Sequence, residues 1–123
     1  MEQFALLVGT LFQSRTQAHI YHLQTQGPGS FAAHMALGAY YEGIVDLVDG
    51  LVESYQGRYG IVKAYKMPSA IREDDNYVIY FEALCKFVET TRQQIAQDSY
   101  IQNQIDEIVA LIESTKYKLV NLH

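Results

Sequence analysis

Gly57-Arg-Tyr-Gly-Ile-Val-Lys-Ala-Tyr-Lys-Met-Pro-Ser-Ala-Ile-Arg-Glu73 is the stretch that decides the topology of this chain. It holds two glycines, a proline and charges of both signs, and no helical or strand period runs through it. Seventeen residues are too many for a tight turn in a small domain. Extended chain covers roughly 3.3 Å per residue, so such a segment reaches from one end of a helical bundle to the other. The segment therefore reads as a crossover between two helices. A short helix inside 68–73 is compatible with its composition.

On both sides of this segment the sequence is helical in pattern. Residues 3–24 place Phe4, Leu7, Val8, Leu11, Phe12, Arg15, Ala18, His19 and His22 at 3-4 spacing, with His22 central in that stripe. Thr25-Gln-Gly-Pro-Gly-Ser30 ends the helix, and Ser30 is the expected N-cap of the next. Residues 31–56 carry a broad apolar arc of Leu37, Tyr40, Tyr41, Ile44, Val48, Leu51, Val52 and Tyr55. Beside it runs an acidic row, Glu42, Asp46, Asp49 and Glu53, within about 60° of one another around the axis. Like charges one turn apart repel by a few tenths of a kcal/mol, so the row is either well solvated or offset by a cation.

Beyond the crossover, Asp74 or Asp75 is expected to cap a third helix over 76–96, with Tyr77, Tyr80, Phe81, Leu84, Phe87 and Val88 inward. Asp98 or Ser99 opens a fourth over 99–121, with Ile101, Ile105, Ile108, Val109, Ile112, Thr115 and Leu119 inward. Two short loops and one long connection make the expected fold an all-α, antiparallel four-helix bundle of ferritin-like topology, with the long crossover between helices 2 and 3. Residues 1–123 form one domain at this length.

Composition excludes several roles. With 9 basic against 14 acidic residues and a net charge of −5, the chain lacks the clustered cations that nucleic-acid binding needs, so no nucleic-acid partner is expected. Arg58, Lys63, Lys66 and Arg72 are the densest basic group and read as solvated surface. A single cysteine, Cys85, sits among Leu84, Phe87 and Val88 and reads as a buried structural thiol. Neither a leader-like start nor a run of ~20 apolar residues is present, so a cytoplasmic location away from membranes is expected.

Two histidines and two carboxylates carry chemical interest: His22, His34, Asp49 and Glu53, at spacings 12, 15 and 4. Imidazole nitrogen and carboxylate oxygen are ligands that suit iron and zinc. The stretch His22-Leu-Gln-Thr-Gln-Gly-Pro-Gly-Ser-Phe-Ala-Ala-His34, followed by Asp49-Gly-Leu-Val-Glu53, resembles the Dps miniferritins, ferritin-like proteins that oxidise and store iron. Asp106 to Leu119 is similar to that family's fourth helix, with Tyr117 at a position where the family usually has tryptophan. The resemblance implies a metal site between two subunits. His22 and His34 of one copy would face Asp49 and Glu53 of a second, and the cofactor would be iron, with zinc or another divalent metal able to take its place. It further implies ferroxidase-type chemistry, Fe(II) oxidised by peroxide or oxygen, and a homo-oligomer of two chains at least and of twelve where a storage shell forms.

Two family positions differ. The acid four residues after the second histidine is Gly38, which removes a ligand of the second metal, and the tryptophan after the first is Leu23. Glu42 is the nearest carboxylate one turn on, His19 a candidate accessory ligand, and Tyr41 a phenol close by. The alternative expectation is a metal-free bundle that serves as an oligomeric interaction or assembly protein, or binds a small ligand through its ten tyrosines and its histidines.

Overall fold

A computed structural model describes residues 1–68 and 70–123. Four helices form in chain order: α1 (Glu2–Gln24), α2 (Ser30–Tyr59), α3 (Tyr77–Thr91), extended by a 3-10 turn at Arg92–Gln94, and α4 (Ser99–Asn121). The contacts fix their directions. Tyr21 near the end of α1 meets Tyr77 and Tyr80 at the start of α3, while Tyr40 of α2 meets Phe81. Ser54 of α2 donates to Gln104 near the start of α4. So α1 runs antiparallel to α2 and α3, and α4 antiparallel to α2. This leaves α2 and α3 parallel and requires the connection between them to cross the full length of the bundle, as expected from its length.

That connection is a strap laid along α1. The carbonyl of Lys66 lies so close to Gly9 that a Cβ there would come within 1.7 Å of it. One turn on, the Gln13 side-chain amide donates to the carbonyls of Pro68 and Ala70 at 2.8 and 3.3 Å. Gln17 then makes a two-way bond to the backbone of Arg72, accepting from its N–H at 2.7 Å and donating to its carbonyl at 3.2 Å. Last, the Tyr21 hydroxyl donates to Asp74 at 2.9 Å. Residues 9, 13, 17 and 21 form one i, i+4 row of α1. From Gly9 to Tyr21 the helix rises about 18 Å, while the strap from Lys66 to Asp74 spans about 26 Å at full extension, so it follows the row with slack to spare. The amides satisfy strap backbone groups that no sheet or helix serves.

The strap also explains why α1 departs from its apolar pattern. Buried positions are Phe4, Ala5, Leu7, Val8, Gly9, Leu11, Ser14, Gln17, Ala18 and Tyr21, whereas Arg15 is exposed and His19 and His22 are half-buried. His22 is thus not central in the core stripe but flanks it. Because α1 is covered by α2, α3 and the strap together, polar Ser14 and Gln17 can be buried with partners; Ser14 bonds the Tyr40 hydroxyl at 2.7 Å. Arg15 belongs to an outer face.

Other boundaries shift. Gly29 at φ 81, not Ser30, is the N-cap of α2, with no side-chain cap bond, and α2 continues to Tyr59, three residues beyond the expected end. At α3 the N-cap is Asn76, whose N–H donates to Asp74, so the aspartate caps from outside the helix. The helix expected inside 68–73 is not formed by the described residues there; Ser69 lies outside them. Cys85 is half-buried, and burial, followed by the neighbouring Glu113, pushes its thiol above the ordinary value. That suits a packed, unreactive thiol.

Two outcomes follow for stability. Gly9→Ala should destabilise the fold by about 1–3 kcal/mol in urea titration, because the strap backbone must lift off α1. At high pH, burial and the adjacent Asp74 hold the Tyr21 phenol protonated up to about 12 in the folded chain, against 10.0 unperturbed. Burial also drives Tyr40 and Tyr80 upward. A raised folded value means that the stabilisation is complete below pH 10 and is lost as the pH climbs towards 12. The melting temperature should fall over that window, and Tyr21→Phe should flatten the fall.

Candidate metal centre

Where α1 ends and α2 begins, His22 and His34 face each other across the helix pair. Their rings stack with centroids 3.6 Å apart and planes 22° from parallel. Each ring bonds the other residue's backbone: His22 Nδ1 donates to the His34 carbonyl at 2.7 Å, and His34 Nδ1 donates to the His22 carbonyl at 3.1 Å. A carbonyl can only accept, so both protons sit on Nδ1. Both Nε2 atoms are left without a hydrogen bond among the described residues. A fixed Nδ1–H with a bare Nε2 is how metal-binding imidazoles are commonly held.

Local sequence makes this arrangement possible. His22 is in the last turn of α1, where carbonyls have no helical partner. The His22 carbonyl takes its partners from His34 and from the Thr25 hydroxyl at 3.0 Å. Thr25 was legible in sequence only as part of a turn; the structure makes it a support of the pair. Gly38 has a role as well. A Cβ at that position would stand 3.3 Å from Cε1 of His22, so glycine leaves the His22 ring room to lie against α2. His19 extends the cluster by stacking on Tyr41 at 4.2 Å, and Tyr41 meets the His22 ring edge-on at 5.3 Å.

Asp49 and Glu53 lie elsewhere. Fifteen residues of α2 separate His34 from Asp49, about 22 Å along the axis. Both carboxylates are exposed, and with Phe12, Val52 and Tyr65 they line a shallow hollow of about 370 Å³. Glu42 and Asp46 are exposed on the same helix. No group of three or more His, Cys, Asp or Glu converges within one chain among the described residues. The four expected ligands are therefore divided into two groups, one near each end of the α1–α2 pair. A larger cleft, about 730 Å³, is at the bundle end between residues 23–30, Glu73–Asp75 and the last turn of α4, and contains none of the four.

Between the two groups α1 carries Arg15, exposed and without a salt bridge among the described residues. Near the histidines the pair carries Leu23, Phe31 and Met35, exposed by 70%, 74% and 56%. In two-bond proton–nitrogen spectra of the neutral rings, His22 and His34 should both show the Nδ1–H form; a proton on Nε2 of either would contradict the reciprocal bonds.

Residues 22–119 match the model of a family of unknown function, DUF5856, a span that includes all four residues. No curated protein and no solved structure matches the chain.

Proposed function

The chain belongs to the DUF5856 family, and from that footing we propose that it binds iron, or another divalent metal, between two copies of itself, in the manner its resemblance to the miniferritins implies. The observation that carries the proposal is the His22–His34 pair, with both Nδ1 atoms committed to carbonyls and both Nε2 atoms left as donors. Two imidazoles alone make an incomplete site for iron or zinc. Asp49 and Glu53 supply the complementary oxygens, and about 22 Å of helix prevents them from doing so within one chain.

The surface supports such a pairing. A two-fold axis that exchanges His34 with Asp49 and Glu53 crosses α2 near Glu42. It would seat the exposed Leu23, Phe31 and Met35 of one copy on the hollow formed by Phe12, Val52 and Tyr65 of the other. It also brings Arg15 close to the acidic row, where a cation offsets the repulsion between Glu42 and Asp46 of facing copies. In this reading His22, Asp49 and Glu53 hold the first metal. The second position has His34 and a share of Glu53 but lacks an acid, because Gly38 stands where the miniferritins have one. The chemistry a bound iron would supply is oxidation of Fe(II) by peroxide or oxygen, at a rate limited by that missing ligand.

The second reading, a metal-free bundle that acts through assembly, is favoured by one observation: the His–carbonyl bonds also tie α1 to α2 and satisfy an otherwise unpartnered helix-end carbonyl. Subunit mixing separates the two. His22→Ala/His34→Ala protein and Asp49→Ala/Glu53→Ala protein should each fail to bind Co(II) under anaerobic conditions. After unfolding and refolding together they should recover binding, since one of the two sites in a mixed dimer is intact. Wild-type protein that binds no metal, or a mixture that recovers none, refutes the shared site.

A further inference from the structure

We propose that the two ends of the bundle dock head to tail, the basic tip where the strap leaves α2 entering the acidic cleft at the opposite end of a second copy. Charge is divided along the chain. Residues 54–72 hold four cations, Arg58, Lys63, Lys66 and Arg72, and no carboxylate, while the remainder holds five cations and all 14 carboxylates. The fold carries much of that division to opposite ends. At one end α2 stops at Tyr59, Gly60 turns the chain at φ 96, and Val62 is buried with its N–H donating to Gln56 at 2.9 Å. With Val62 as the anchor, its neighbours Ile61 and Lys63 are both exposed, Ile61 by 67%. Arg58 and Lys66 reach Asp98 and Glu2 only at 3.8 Å, and both cations are largely in water, so these contacts contribute little and yield readily to a better partner. Lys63 has no ion pair among the described residues.

At the other end, where the strap gives way to α3, Glu73, Asp74 and Asp75 border the cleft of about 730 Å³, with Tyr77 and Leu119 in its wall. Asp74 is committed to Tyr21, Arg72 and the N–H of Asn76. Glu73 and Asp75 are exposed and bonded to nothing among the described residues. Tip and cleft are thus opposite in sign, and each has an apolar part: Ile61 on the tip, Tyr77 and Leu119 in the cleft. Every copy carries both halves, which makes a second copy the occupant. Arg58 and Lys63 would meet Glu73 and Asp75, and Ile61 would leave water for the cleft wall. Because the two surfaces differ, the contact is heterologous and extends into rings or filaments. It uses none of the proposed metal ligands and does not depend on them.

Sedimentation velocity of the full chain in EDTA tests this without metal. At about 0.05 M salt wild-type protein should form species that grow with concentration. At about 0.5 M, where screening is shorter in range, their mass should fall about twofold or more. Arg58→Glu/Lys63→Glu protein and Glu73→Lys/Asp75→Lys protein, altered only at exposed positions, should each keep the high-salt mass at low salt. Mixed in equal amounts they should associate again, since the acidic tip of the first fits the basic cleft of the second and the unaltered tip fits the unaltered cleft. Both variants remain net negative, so general attraction between opposite charges does not imitate that recovery. Wild-type mass that ignores salt and concentration, a single variant that associates as wild type does, or a mixture that stays apart overturns the contact. Wild-type protein that stays apart yet co-sediments with phosphatidylserine vesicles assigns the tip to an anionic membrane surface and overturns it too. Co(II) binding, read separately, decides the metal site whichever way these masses fall.

Discussion

The bundle depends on a backbone-to-backbone contact, Lys66 against Gly9, that only a residue without a side chain allows. It is the first of four steps at which the crossover is held to α1; the others use Gln13, Gln17 and Tyr21. The strap runs in the same direction as α1, from Lys66 beside Gly9 to Asp74 beside Tyr21, so one helix row meets it at successive turns. The strap thereby finds partners for backbone groups of Pro68, Ala70 and Arg72 although it has no secondary structure there. It also fixes where α3 starts, and hence that α3 runs parallel to α2 and packs on Tyr21 and Tyr40.

The same constraint reaches the candidate site. Threading the strap along one flank of α1 leaves the other flank to α2, with Phe12, His19 and His22 half-buried against it and Arg15 exposed. A hairpin between α2 and α3 would have required no strap and could have placed a helix there. Instead the α1–α2 pair presents imidazoles at one end, beside exposed Phe31 and Met35, and at the other a hollow in which Asp49 and Glu53 stand with Phe12, Val52 and Tyr65. The proposed two-fold pairing would set each end of this side against the opposite end in a second copy.

At the histidines, the structural role and the proposed metal-binding role would use different nitrogens of the same rings. Each ring satisfies a backbone carbonyl of the facing helix, which ties α1 to α2, and that use of Nδ1 is what leaves Nε2 available. Gly38 has two consequences as well: it removes a carboxylate relative to the miniferritin pattern and it gives the His22 ring its place against α2. A side chain at 38 would contend with the His22 ring, whose Cε1 would stand 3.3 Å from its Cβ.

Helix content, the two short loops and the long connection were legible in residue order, because 3.6-residue periodicity and the Gly/Pro segments are local properties. So was the spacing of His22, His34, Asp49 and Glu53. The inward face of α1 was not, since an apolar count does not register that Ser14 and Gln17 can be buried once a strap and a tyrosine offer them partners; Gln13 and Gln17, one turn apart, were the available sign. Helix ends were misplaced where a bond from outside the helix, such as Asp74 to Asn76, did the capping. The sequence by itself determined four amphipathic helices and a crossover, because those follow from each residue's nearest neighbours along the chain. Only the tertiary structure decided that the histidines bond each other's carbonyls, that the carboxylates stand about 22 Å from them, and that Tyr65 joins the carboxylates, because each depends on which distant segments the packing brings side by side.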